Sequence, residues 1–363
     1  MSLPAWTRLV GQNNYDIHHW PMAAMVTLCA AGNSILGKVQ DIAYDKKIAA
    51  KELVGDPVFI LGHWRTGTTL LHELMALDER FAIPNNYQCF APNHFLISES
   101  VITKVAKIPS KRPQDNVEIS WTSPQEDEFA ICNYGLPTPY SRIAFPNRPA
   151  RHYDYLNMEG LPMGELEKWK AGLMQFIKNL NYANDKPIVL KSPTHTGRVK
   201  VLLNMFPNAR FIHLSRNPHE FIPSTFHMWR ALDDSNGLQR PIETNQLHDH
   251  VFESFRRMYR GYDKNRELIP DGNLVEVRFE DLTTNTVESM ESIYAQLRLG
   301  DFESMRKRIS DKLAEKKRYK RNKHNPSDEL TGQISAECGD YIRNYCQPNT
   351  GLNDGNVDQE FAA

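Results

Sequence analysis

One turn restricts this chain more than any other feature. Pro57-Val58-Phe59-Ile60-Leu61-Gly62 is a short, apolar, partly β-branched run closed by glycine, the pattern of a buried strand. Gly62-His63-Trp64-Arg65-Thr66-Gly67-Thr68-Thr69 follows it. A helix is then predicted over 69–77, with Leu70, Leu74 and Leu77 at i, i+4 and i+7. The two glycines stand at the spacing of the phosphate loop G-x-x-x-x-G-K-[ST]. Such spacing lets the backbone curl until several N–H groups and a helix N-terminus face one anion. The hydroxyls of Thr66, Thr68 and Thr69 add donors. The lysine that grips the β- and γ-phosphates in triphosphate enzymes is Thr68 here, and the loop's positive charge is Arg65. A guanidinium fork suits an oxyanion with two free oxygens, so the loop is read as a site for an anion other than a magnesium triphosphate.

The rest of the chain supplies a sheet for this turn. Further strands are predicted at Pro187–Leu190, Ala209–Leu214 and Leu274–Phe279, separated by helices near 163–181, from Ser192-Pro193 onward, from Asn217-Pro218-His219-Glu220 onward, and near 286–299. Strands alternating with helices give a parallel α/β sheet covered on both faces, and ligands of such sheets bind at the carboxyl ends of the strands. That rule selects segments 62–69, 191–198 and 215–224. Segment 84–150 is rich in Pro and Asn and reads as loops with one helix, begun by a capping box at Ser123-Pro124-Gln125-Glu126. The first 55 residues read as a helical extension. Their longest apolar stretch, Met22 to Ala31, is about half the roughly 20 residues of a membrane span and is read as a buried helix, with no transmembrane segment expected. Three parts follow: 1–55, a main α/β domain over 56–345 with 84–150 as a loop-rich insertion, and a tail over 346–363.

Composition removes several function classes. Lys plus Arg is 43 and Asp plus Glu is 44, so the chain has no bulk attraction for nucleic acid and any anion site must be local. The five cysteines form no C-x-x-C pair, which argues against a zinc site or disulfide framework and for a reducing, cytoplasmic compartment.

His63 to Thr69 and the stretch around Arg216 resemble sulfotransferases that use 3′-phosphoadenosine-5′-phosphosulfate (PAPS). The likeness is closer to a bacterial-type branch with R-[ST]-G-T-T-L-L-H in its first loop, and it spans roughly residues 55 to 345. It implies a P-loop-like sulfotransferase fold in which Arg65, Thr66, Gly67, Thr68 and Thr69 hold the 5′-phosphosulfate end of the donor. Cytosolic animal members carry lysine where this chain has Arg65. By the same resemblance Arg216 and Ser224 bind the 3′-phosphate, and a late basic segment, here Lys320 and Arg321, covers the 3′-phosphate and adenine.

The implied reaction moves a sulfuryl group to a hydroxyl or an amine of a small-molecule, lipid or carbohydrate acceptor, and no metal is expected. Such transfer needs in-line geometry, stabilisation of charge on the leaving oxygens and removal of the acceptor's proton. Arg65 and then Lys191, at the end of the second strand, are the candidates for the leaving side. The base is harder to find. Gln88 stands where relatives of the branch often have glutamate, and an amide cannot take the proton. In the triplet Glu126-Asp127-Glu128, Glu126 is explained as the N3 member of a cap, which leaves Glu128 or Asp127, then His195, as candidates. His72 is read as structural. Tyr87, Trp121, Tyr134, Tyr140 and Trp229 are candidates to line the acceptor pocket. Two rivals remain: a P-loop kinase using Glu280-Asp281 as its acidic pair, and a nucleotide-binding scaffold without catalysis.

Overall fold

All four apolar runs become strands, and every pairing is parallel. The structure, a computed structural model, describes residues 1–106, 108, 119–147, 152–240, 245–315 and 326–347. Strands β1 (Val58–Leu61), β2 (Val189–Lys191), β3 (Arg210–Ser215) and β4 (Leu274–Arg278) form one sheet in the order β2-β1-β3-β4. Ile60 pairs with Lys191, Leu61 with His213, and Ser215 with Arg278. These registers bring the carboxyl ends of β1, β2 and β3 to one edge.

Alternation along the strands divides the core in two. Phe59, Leu61 and Phe211 point to one face, where Leu173, Phe176 and Ile177 of the Met163–Asn184 helix and Val251, Phe255 and Met258 of the Asn245–Asn265 helix cover them. Val58, Ile60, Ile212 and Leu214 point to the other, against Leu71, Leu74 and Met75 and against Met290, Ile293 and Tyr294. A parallel sheet whose crossovers are helices has to be buried on both sides, so its strands read as unbroken apolar runs.

Several local expectations need correction. The helix after the first loop is Thr68–Met75, and it buries Leu71, Leu74 and Met75, with Leu70 and Leu77 only half-buried. Segment 84–147 is more ordered than loops with one helix: it holds the helices Asn86–Phe90, Phe95–Val105 and Glu128–Asn133. The proposed start at Ser123 does not form. Asn85 bridges Pro124, and Gln125 N donates to Pro84 O at 2.9 Å, so this stretch is extended and the helix begins at Glu128. The cap at Asn217 does form, its side chain accepting from His219 N at 3.0 Å.

The N-terminal region is helical, over Leu3–Asn13 and Trp20–Ala50. The apolar stretch 22–31 is not buried: Ala23 and Ala30 are, whereas Met25 and Leu28 face outward. The longer helix packs on the Phe95–Val105 and Met163–Asn184 helices. It belongs to a segment, Ile17–Ala50, long and apolar enough to cross a membrane, 17% of whose most apolar window is buried.

Candidate active site

The first loop leaves β1 through three left-handed residues. Gly62 has φ 143°, Arg65 φ 68° and Gly67 φ 99°. A Cβ on Gly62 would lie 2.6 Å from Leu214 O, and one on Gly67 would lie 2.3 Å from the Phe279 ring, so neither position admits a side chain. Thr66 Oγ1 donates to His63 O at 2.7 Å and closes the turn, while Gly62 N donates to Thr196 Oγ1 at 2.8 Å and ties the loop to the segment after β2. A non-glycine residue in the left-handed region is sparsely populated and persists only where its surroundings fix it. At Arg65 the fixing contacts are visible.

Arg65 Nε donates to Ser224 Oγ at 3.0 Å, and Arg216 Nη1 donates to Arg65 O at 2.9 Å. The Arg216 guanidinium also lies over the Phe279 ring, 4.5 Å from its centroid, and meets Glu220 Oε2 at 2.7 Å. Its backbone N donates to Tyr341 OH at 3.1 Å. Arg65, Gly67, Arg216 and Ser224 therefore share one cleft above β1 and β3. The N-terminus of the Thr68–Met75 helix opens at the same point, so the Arg65 guanidinium and a helix dipole favour negative charge there, with the Arg216 guanidinium beside them paired to Glu220. Lys320 and Arg321 lie outside the described residues.

Across the cleft, Lys191 ends β2. Its Nζ reaches Glu126 Oε1 at 2.6 Å and Thr69 Oγ1 at 3.5 Å. Glu126 Oε2 accepts from Tyr140 OH, which accepts from Trp64 Nε1 at 3.0 Å. Burial, then the Glu126 carboxylate, pushes the Tyr140 phenol far above its ordinary range, so it stays a donor. Glu126 is therefore no cap. It is the acidic side chain that meets the first loop's helix through Lys191, and its side chain keeps 16% exposure.

Its two neighbours face inward. Asp127 is fully buried, accepting from Ser192 Oγ at 2.9 Å and contacting His195 Nε2 at 2.6 Å. Glu128 is fully buried as well, held by Arg198 at 2.5 and 3.0 Å, by Thr138 Oγ1 at 2.5 Å and by Thr194 Oγ1 at 2.7 Å. Burial alone would raise both carboxyls. That is the largest single influence at each, but His195 and Ser192 together outweigh it at Asp127, and Arg198, Thr138 and His195 together at Glu128, so both lie below the usual carboxylate range. With their oxygens taken up inside, Asp127, Glu128 and His195 work as a brace between the Glu128–Asn133 helix and the segment after β2, and they do not open on the cleft. Arg198, which the sequence reading did not single out, closes that brace; its position seven residues after Lys191, in the same strand-end segment, was the available signal.

Gln88 has its own occupation. Its backbone N donates to Asn85 Oδ1 at 2.9 Å, its Oε1 accepts from Asn85 N at 3.2 Å, and its Nε2 donates to Glu99 at 3.0 Å. That is a capping box. Of the aromatic candidates, Tyr140 and Trp229 pack with Trp64 beside Glu126, and Phe129 joins them. Tyr87 and Trp121 pack on each other, and Tyr134 bonds Pro92 O and Asn179, away from this wall. His63 and His72 are fully buried, and burial pushes each down to about 3.

A P-loop-like parallel sheet with two arginines at its strand ends fits a group-transferring enzyme. The comparisons name the group. The model described as "Sulfotransferase family" matches residues 57–304. The chain is 41% identical over 344 residues to "Omega-hydroxy-beta-dihydromenaquinone-9 sulfotransferase Stf3" of Mycobacterium bovis and of Mycobacterium tuberculosis, covering 94% of this chain and 88% of each of those proteins. Among solved structures it resembles sulfotransferase STF9 from Mycobacterium avium, with TM-score 0.65, 17% identity, and 86% and 82% of the two chains covered. It also resembles sulfotransferase STF1 from Mycobacterium tuberculosis H37Rv, with TM-score 0.60, 14% identity and 84% of each chain covered. The chain belongs to the sulfotransferase family and is an enzyme that transfers sulfate.

Proposed function

We propose that the donor is PAPS, held across the cleft by its two anionic ends, and that the acceptor is a lipid hydroxyl. The observation that carries the donor reading is the contact of Arg65 with Ser224 and of Arg216 with Arg65, because these side chains bring donors for two separate anions to neighbouring strand ends. Residues 65–69 take the phosphosulfate end; Arg216 and Ser224 take the 3′-phosphate. Arg216 is already neutralised by Glu220, so an incoming phosphate has to share or displace that partner.

Glu126 is the base in this reading, replacing Asp127, Glu128 and His195. An acceptor oxygen against the Trp64, Tyr140 and Trp229 wall gives its proton to the Glu126 carboxylate and forms the new S–O bond while the S–O bond to the phosphate breaks. Lys191 and Arg65 stabilise the charge left on the phosphate oxygens. Lys191 touches both Glu126 and Thr69, so it links the base to the leaving side.

The lipid reading is supported by the 41% identity to a sulfotransferase named for an omega-hydroxylated dihydromenaquinone, and by the aromatic wall next to Glu126. The five cysteines are free thiols, consistent with a cytoplasmic enzyme. The test is labelled-sulfate transfer from PAPS to three acceptors: a dihydromenaquinone with a terminal hydroxyl, a simple phenol and a hexose. Transfer to the first is expected. Transfer to the hexose alone overturns the acceptor reading, and protection by ATP with no response to adenosine 3′,5′-bisphosphate overturns the donor reading.

A further inference from the structure

We infer that the Trp20–Ala50 helix docks the enzyme flat on the surface of an anionic lipid bilayer. The helix is amphipathic in the reverse of the usual sense. Ala23, Ala30 and Gly37, all small, form the face turned into the protein over the first half of the helix, with Gln40 and Ile48 following them, whereas Met25 (60% exposed), Leu28 (76%), Ile35 (66%) and Ile42 (88%) face outward. A helix covered only by water would bury the large side chains and expose the small ones, because burial of a large aliphatic side chain is the favourable transfer. From Trp20 to Gly37 the sequence carries no charged residue.

The arc settles what covers it. At about 100° per residue, Trp20, Met25, Leu28, Ile35, Val39 and Ile42 spread over about 140° of the circumference. A paired helix would need only the narrow a/d seam, and this wider arc matches the acyl–headgroup boundary of a bilayer. Charge agrees. Exposed Lys38 falls at one edge of this arc, Lys46 within it at its C-terminal end and Lys47 about 40° beyond the other edge; of the two aspartates, Asp45 falls about 20° beyond the Lys38 edge and Asp41 beside the buried face, so lysines outnumber aspartates along the arc. Lysines fringing an apolar face complement anionic headgroups. The helix lies on the surface and does not span it, since its inner face is fastened to the domain: Gln40 Oε1 accepts from Leu96 N at 2.9 Å and Asn33 Oδ1 meets His94 Nε2 at 2.9 Å. Exposed Val101 and Val105, on the helix packed beside it, extend the apolar surface toward the acceptor side of the fold. The inference rests on this surface alone and stands whatever the acceptor is.

Flotation of the full chain tests it, using vesicles of phosphatidylcholine with phosphatidylglycerol and vesicles of phosphatidylcholine alone. The chain is expected to float with the mixed vesicles, and Lys38→Glu/Lys46→Glu/Lys47→Glu to weaken binding ~100-fold, each lysine near an anionic surface being worth a factor of about five. Leu28→Asp/Ile35→Asp/Ile42→Asp should abolish flotation while circular dichroism and Tm match the unsubstituted chain. Two results overturn the inference: a chain that stays below the vesicles of both compositions, and a lipid-free dimer that the triple aspartate variant splits, which would give the face to a second copy of the chain.

Discussion

Arg65 Nε and Ser224 Oγ are 3.0 Å apart although 159 residues separate them, so the first loop and the helix after β3 are fastened at the point where the donor is expected. This bond fixes the Arg65 side chain, while Arg216 Nη1 on Arg65 O holds its left-handed backbone. Arg65→Ala is expected to lower kcat by on the order of 10²–10³, the loss typical of removing one donor aimed at developing charge. Arg65→Lys keeps the charge without the fork and should fall between. Steady-state sulfate transfer checks both; wild-type kcat in the alanine variant removes Arg65 from the leaving side.

Glu126→Gln tests the proposed base apart from its neighbours. The amide keeps the shape and can still accept from Tyr140, but it cannot take a proton. A loss of on the order of 10²–10⁴ in kcat is expected, with donor affinity little changed. Calorimetric titration with adenosine 3′,5′-bisphosphate beside the rate assay makes the distinction. Retained kcat would return the search for the base to another residue.

The first loop was legible because its information lies in backbone chemistry: two glycines that the fold cannot replace, and an arginine in the loop. The position of Arg216 and Ser224 beside that loop was legible because strand, cap and helix follow one another in the chain. Glu126 was not. Ser123-Pro124-Gln125-Glu126 has every residue of a capping box, yet the bridge from Asn85 to Pro124 holds it extended, and a contact made across 39 residues leaves no local trace. The apolar segment 22–31 misled for a related reason. Periodicity reports that a helix has a large apolar face, and only tertiary packing decides that the small side chains Ala23 and Ala30 are the ones turned inward.

Glu128 and Arg198 make the reverse prediction. Each is fully buried with the other as its main partner. Removing one side of such a pair strands the other charge, so Arg198→Ala should destabilise the fold by about 3–5 kcal/mol. The Arg198→Met/Glu128→Leu double variant should recover part of that loss, because no charge is left alone. Urea unfolding measures it. A single variant as stable as wild type would mean that the brace is not structural.

Buried histidines give the chain a one-sided pH response. His63 and His72 titrate near 6.5 when unfolded, and burial takes each down to about 3 in the fold. At His72, Lys191 pushes the same way and Asp127 opposes. Their folded values are depressed, so below about 6.5 the unfolded chain takes up protons that the folded chain refuses. Stability is therefore fully present above that pH and falls as the solution is acidified, by at most about 2 kcal/mol per histidine between pH 7 and pH 5. Neither ring nitrogen of His72 has a hydrogen-bond partner among the described residues, so leucine leaves no orphaned group there. His72→Leu should flatten the slope of urea-unfolding stability against pH over that window by its own share, leaving those of His63, His94 and His250, which burial also depresses. An unchanged slope would show that His72 is protonated, or open to water, in the folded enzyme.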